Sequence, residues 1–306
     1  MNETHRAGFW ASPGYLGAVL IALVSCCALA CNKDRADAVR FMNQGIELYE
    51  ANKTTDAIER LEKARDTDPS FAEPPLQLGQ LYHREFDDLE KAEQAYREAL
   101  QRRPGDPEIT YKLGSVLADA EKHTEAVSQF EQTVEEDEEH AKAWYRMGLS
   151  HRADGAYPEA VEAFMESIET NPIMKVDEDD PGGAAYHELG DLYNWFGFYD
   201  KALQVYENGI ENNEGVARLY GGRGIAQLEL ERYDEAIDSF KRGLEVDEGS
   251  GPMTFNLAVA YTEADQSDKA AEILEDYISN AKDPDRRAAA ENVLAELEEE
   301  RDEADE

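Results

Sequence analysis

Between Ala141 and Pro172 the chain reads Ala-Lys-Ala-Trp144-Tyr-Arg-Met147-Gly148-Leu-Ser-His-Arg-Ala-Asp-Gly155-Ala-Tyr157-Pro-Glu-Ala160-Val-Glu-Ala-Phe164-Met-Glu-Ser-Ile-Glu-Thr-Asn-Pro172. A bulky residue leads to Met147-Gly148; Ala160 stands twelve residues past the glycine, Phe164 four further on, and Pro172 eight beyond that. Two helices approach to about 8–10 Å only where side chains are small, which accounts for Gly148 and Ala160. Trp144, Tyr157 and Phe164 are suited to fill the holes around that contact, each aromatic burying roughly 150–250 Å². Pro172 cannot continue a helix, so it ends the second one. The stretch is therefore expected to form one helical hairpin.

The same frame recurs along the chain. Downstream it is Tyr186, Leu189-Gly190, Tyr193, Gly197, Tyr199, Ala202 and Tyr206, then Tyr220, Gly224, Tyr233, Ala236 and Phe240. Upstream it is Gly45, Ala57, Leu61, Ala64 and Pro69, then Leu78-Gly79, Tyr82, Ala92, Tyr96, Ala99 and Pro104, then Leu113-Gly114, Leu117, Ala126 and Phe130. A last copy is reduced to Leu257-Ala258, Tyr261, Ala270 and Leu274. This pattern resembles the tetratricopeptide repeat, in seven copies starting near residues 38, 72, 107, 141, 183, 217 and 251 and covering 38–284. The second copy carries one extra residue in Glu85–Glu90, an insertion at 175–182 precedes the fifth, and copies five and six lack the proline. The resemblance implies an all-α fold, a right-handed α-α superhelical solenoid in which stacking buries apolar faces that no hairpin buries alone. Residues 285–306 are expected to cap the array as a helix with Ala289, Val293, Leu294 and Leu297 on one face. Its acidic end opposes the helix macrodipole, so fraying is expected from about Glu300.

Composition narrows the function. Of 306 residues, 68 are acidic and 30 basic, a formal net charge of −38. Such a surface repels phosphate backbones and anionic headgroups, which argues against nucleic acid. At 42% hydrophobic residues the chain has enough for a packed core, which argues against wholesale disorder.

All three cysteines, Cys26, Cys27 and Cys31, lie near the start, behind an apolar run from Leu16 to Ala30 and ahead of polar Asn32-Lys33-Asp34-Arg35. That run is shorter than the roughly 20 residues of a membrane-spanning helix. A short apolar middle closed by small residues describes a secretory signal. Ala28-Leu29-Ala30-Cys31 resembles the lipobox of bacterial lipoproteins, with Leu23-Val24-Ser25-Cys26 as the alternative. The resemblance implies lipidation of Cys31 (alternatively Cys26) after removal of the segment before it. Residues 32–37 would then form a tether, and Asn32 is compatible with outer-membrane delivery facing the periplasm.

The chain shows no phosphate loop, dinucleotide fingerprint, nucleophile elbow or zinc-spaced cluster, so neither an enzyme nor a cofactor is expected. Asp177-Glu-Asp179-Asp-Pro181-Gly182 with Glu188 echoes a calcium loop, but Pro181 stands where a ligand is wanted; a solvated acidic loop is the expectation and no metal is assigned. In the repeat family the second, fifth, ninth and twelfth positions of each first helix line a concave groove. Here they supply His83 beside Arg84, Tyr111, Lys142, Tyr145 beside Arg146, Arg152, His187, Asn194 beside Trp195, and Arg218. Cations and aromatics so gathered favour an extended or acidic peptide. Lys142 and Arg146 match part of the family's carboxylate clamp, but Leu76, Gln80 and Lys112 occupy its other positions, so that ligand is not expected. The expectation is a non-catalytic, lipid-anchored scaffold at the bacterial envelope, binding a protein or peptide for envelope, pilus or secretion assembly. The alternatives are a soluble intracellular adaptor or the recruitment module of an enzyme complex.

Overall fold

The computed structural model describes residues 33–176, 182–280 and 284–304, and among them every regular element is a helix. The expected signal segment, with Cys26 and Cys31, lies outside the described residues, as do residues 177–181 of the acidic insertion. The chain forms two compact units, one ending at Glu121 and the other beginning at Lys122.

The first unit contains α1 (33–50), α2 (Thr54–Thr67), α3 (Glu73–Glu85), α4 (Leu89–Arg102) and α5 (Pro107–Asp119). Helix starts follow local chemistry. Asp88 and Asp106 cap α4 and α5 by accepting from the backbone N–H of Lys91 and Ile109, each at 3.1 Å. Pro107 opens α5, where its missing N–H costs nothing. Pro69 and Pro104 follow directly on the residues that close α2 and α4. α1 begins at residue 33, inside the stretch expected to be a tether. The reason is packing: Ala38 is fully buried, the Arg35 guanidinium lies 4.4 Å from the Phe71 ring centre, and its Nε donates to Asp68 at 2.5 Å. Burial pushes the Asp68 carboxyl up, but hydrogen bonds from Ser70 and Arg35 outweigh it and hold the group below its usual range.

The second unit contains α6 (His123–Glu136), α7 (Ala141–Ala153), α8 (Tyr157–Thr170), α9 (Ala184–Trp195), α10 (Tyr199–Asn212), α11 (Ala217–Glu229), α12 (Tyr233–Val246), α13 (Gly251–Glu263), α14 (Ser267–Asn280) and α15 (Pro284–Ala304). From α6 to α15 each helix packs on the next. α15 docks through Ala290 and Leu297, with Val293 and Leu294 half-buried, on the cluster around Leu274 and Tyr277. Ala289 is exposed, one residue out of the expected face, and the backbone stays helical to Ala304, past the expected fraying point.

In three of these hairpins the first helix offers a glycine to an aromatic of the second; the last, α13–α14, has Ala258 and Leu274 in those places. A Cβ on Gly148 would stand 2.7 Å from Phe164, one on Gly190 2.5 Å from Tyr206, and one on Gly224 2.6 Å from Phe240. In the first unit Gly79 meets Tyr96 in the same way, at 2.7 Å. Carbon atoms normally keep about 3.5–4.0 Å apart, so none of these positions accepts even a methyl without movement. Glycine also serves between hairpins, where a Cβ on Gly222 would stand 2.3 Å from Tyr206. The turn inside each hairpin passes through a left-handed residue: Asn52, Asp87, Glu121, Gly155, Gly197, Glu231 and Asp265. From Asp87 to Glu121 to Gly155 the interval is 34 residues, and from Gly155 to Gly197 it widens to 42, the repeat plus the eight-residue insertion.

Candidate peptide-binding face

In the first unit, His83 and Tyr111 are half-buried and Arg84 is exposed. His83 Nε2 lies 2.8 Å from Asp119 Oδ2, joining the end of α3 to the end of α5. In the second unit the expected residues divide sharply. Tyr145 is not available to a ligand: it is 8% exposed, packed 5.9 Å from the Phe164 ring within the core between α7, α8 and α9. Lys142 turns its Nζ to the Val176 carbonyl at 3.1 Å, and Arg218 donates to the Gly182 carbonyl at 3.0 Å, so these two hold the ends of the insertion. Arg146 is half-buried one residue beyond Tyr145.

The remaining residues do converge. His187, Asp191, Asn194 and Trp195 recur at intervals of four, three and one, which places them along one side of α9. Arg152 from α7 donates to Glu188 of α9. His187 Nε2 stands 3.6 Å from Asp191; burial, helped by Arg218 and Arg152 and opposed by Asp191, holds its imidazole below the usual range. Tyr206 donates to Asp191 at 2.6 Å, and burial reinforced by that charge keeps its phenol protonated far above its ordinary value. Asn194 Nδ2 reaches both the Tyr206 hydroxyl (3.3 Å) and the Gly222 carbonyl (3.2 Å), while its Oδ1 is buried without a hydrogen-bond partner. The expected strip of positive charge is thus largely engaged within the fold: His83, Arg152 and His187 face the carboxylates of Asp119, Glu188 and Asp191, while Lys142 and Arg218 are held by backbone carbonyls.

What stays open is a cavity of about 320 Å³ lined by Arg152, Tyr157, Asp191, Leu192 and Trp195. Trp195 is 65% exposed and packs edge-on to Tyr157, with ring centres 4.9 Å apart, and against Phe196 at 4.8 Å. Phe196 and Phe198 are also about half exposed. Sequence reasoning missed Tyr157, Phe196 and Phe198 as surface aromatics, because the repeat frame reads them as hairpin-turn and packing positions. The run Trp195-Phe-Gly-Phe198-Tyr199 was the available signal: turns rarely need that much apolar surface. Chemically the site offers a solvent-exposed aromatic shelf flanked by an ion pair and a carboxylate, with no nucleophile among the described residues that line it. Among the described residues no three histidine, cysteine or acidic side chains are grouped to hold a metal ion.

Tandem helical hairpins closed by a glycine-on-aromatic notch, with a polar and aromatic face on their first helices, define a repeat protein of the interaction type. Models of the tetratricopeptide repeat match residues 42–107 and 111–172, 182–249, and 227–297, together most of the chain. The chain belongs to the tetratricopeptide-repeat family. Among solved structures it is similar to the MamA protein, with 27% identity over 58% of this chain and 92% of that one and a TM-score of 0.50. It is also similar to YrrB, described as a TPR protein with an unusual peptide-binding site, with 21% identity over 66% of this chain and all of that one (TM-score 0.53). The C-terminal part of a TPR repeat-containing protein from Cytophaga hutchinsonii shares 16% identity over 81% of this chain and 98% of that one, with a TM-score of 0.64. No curated protein matches the chain.

Proposed function

We propose that this chain is a non-catalytic scaffold that holds a peptide or protein segment across the exposed side of α7 and α9, and that lipid on Cys31, or alternatively Cys26, anchors it at the bacterial envelope. The observation that carries the binding reading is the open shelf of Trp195 and Tyr157 beside the Arg152–Glu188 pair and Asp191. Tryptophan, tyrosine and arginine are the residues in which binding hot spots are enriched. Because Arg152 is paired with Glu188 and Lys142 and Arg218 are held by backbone carbonyls, the expected partner is redirected: aromatic or apolar side chains anchor it, and charges around the shelf set its direction. Membership of a repeat family whose solved relatives include a peptide binder supports the reading. The anchoring rests on the sequence Leu29-Ala30-Cys31-Asn32, and the acidic charge supports attachment by lipid rather than by headgroup attraction.

Two experiments test the parts separately. Fractionation of wild type against Cys31→Ala and Cys26→Ala should move one variant from the membrane to the soluble fraction; unchanged partition of both defeats the anchor. A photo-crosslinking residue at position 195 should capture an envelope protein that a Trp195→Ala/Arg152→Gln variant of equal helicity no longer co-purifies. Equal recovery by that variant defeats the shelf.

A further inference from the structure

The opposite side of α7 carries a second, chemically different surface. Lys142 and Arg152 lie on the side facing the shelf, whereas Trp144, Met147 and His151 follow one another at spacings of three and four on the other. α6 and α8 both pack on α7, and between them runs a furrow of about 730 Å³. That is within the range of about 300–1,000 Å³ typical of ligand clefts. Val134, Trp144, Met147 and Ala163 line it, and Met165 stands at its edge 52% exposed. His151, in the place that Tyr82 and Tyr193 hold in other repeats, also lines the furrow.

The rim is of one sign. Glu131 and Glu135 border it from α6, and Glu159, Glu162 and Glu166 from α8; all five are exposed, and among the described residues no lysine or arginine lines the furrow. Carboxylates on both banks of an apolar floor repel an anionic partner and attract a cationic one. The floor from Trp144 to His151 is seven residues of helix, about 10 Å, which matches two turns of a docked helix with apolar anchors at i, i+3 or i+4, and i+7. We infer that this furrow docks a cationic amphipathic segment of a partner protein, independently of the Trp195 shelf. The chain thereby joins two ligands on opposite sides of one helix, an aromatic or apolar one on the shelf and a basic one here.

The test is calorimetric titration of the folded chain at about 0.15 M salt, where long-range attraction to a −38 protein is largely screened. Three synthetic peptides of about fifteen residues serve as probes. One has leucines at helical spacing among lysines, one replaces those leucines by serine, and one replaces the lysines by glutamate. Saturable binding of the lysine–leucine peptide alone is expected. It should weaken roughly tenfold in Glu159→Gln/Glu162→Gln/Glu166→Gln, and also in Met165→Asn, which leaves every charge in place. Both variants alter exposed residues, and matching urea melts confirm that they fold. No binding of the lysine–leucine peptide, equal binding of the lysine–serine peptide, or unchanged binding by either variant overturns the proposal. Weaker binding in Trp195→Ala/Arg152→Gln would place the peptide on the shelf and overturn it as well.

Discussion

Gly148→Ala adds one methyl group in the middle of α7, and two physical effects oppose each other there. Helix propensity alone favours the change by about 0.8–1.0 kcal/mol, since alanine loses less backbone entropy than glycine. The structure puts the new Cβ 2.7 Å from Cδ1 and Cε1 of Phe164. Carbon contacts relax near 3.5–4.0 Å, so the ring must retreat by about 1 Å. Phe164 has no room to do so: it is fully buried among Ala160, Leu189 and the Tyr145 ring. Overpacking of this kind costs about 1–3 kcal/mol, so a net loss of about 1 kcal/mol is expected, opposite in sign to propensity. Urea unfolding followed by far-UV circular dichroism measures it, with the slope compared as well as the midpoint because repeat arrays can unfold in stages. A double-mutant cycle supplies the decisive number. In a Phe164→Leu background the methyl group has space, so the loss should vanish and the coupling should reach about 1 kcal/mol or more. Gly155→Ala is the control: no atom lies within 4 Å of its Cβ, but φ is +75°, so its loss should persist in both backgrounds. A stability gain in Gly148→Ala, or an equal effect with and without Phe164, would refute the notch that Gly148 shares with Gly79, Gly190 and Gly224.

The turn residues supply a stabilising counterpart. Glu231 sits at φ +59°, where an L residue is strained by about 1–2 kcal/mol; Glu231→Gly relieves this against a smaller entropic loss, so a gain of about 0.5–1 kcal/mol is expected in the same urea assay. His187 gives a pH dependence. Its folded pKa lies below the ordinary value of 6.5, so between the two values the unfolded chain binds the proton and the folded one does not. The stability of keeping it neutral is therefore complete above about pH 6.5 and declines as pH falls beneath that value, and His187→Gln should flatten this part of the stability–pH curve. An identical slope in the variant would show that His187 does not titrate differently in the two states. The net charge of −38 should make the fold more stable as salt rises from about 0.01 to 0.15 M, a range over which the screening length shortens from about 30 to 8 Å. Midpoints that ignore salt would show that self-repulsion is already compensated within the fold.

The hairpins were legible from residue order because their determinants are local and steric. Gly148 meets Phe164, sixteen residues away, and the same spacing pairs Gly190 with Tyr206 and Gly224 with Phe240. A repeating spacing between a notch and the ring that fills it can be read from the chain. The chain also carried the left-handed turns, since their spacing follows the repeat and registers the inserted residues. Which side chains remain free was not legible, because that depends on the neighbouring hairpin. Tyr145 and Trp195 are both aromatics on successive first helices, yet one is sealed on Phe164 and the other stands 65% exposed. Arg152 reads as a free cation until Glu188, on the next hairpin, closes on it. The acidic furrow, likewise, needs α6 and α8 set against α7 before its five glutamates face one floor. Sterics within a hairpin are written in consecutive residues, whereas exposure and charge balance are properties of the assembled stack.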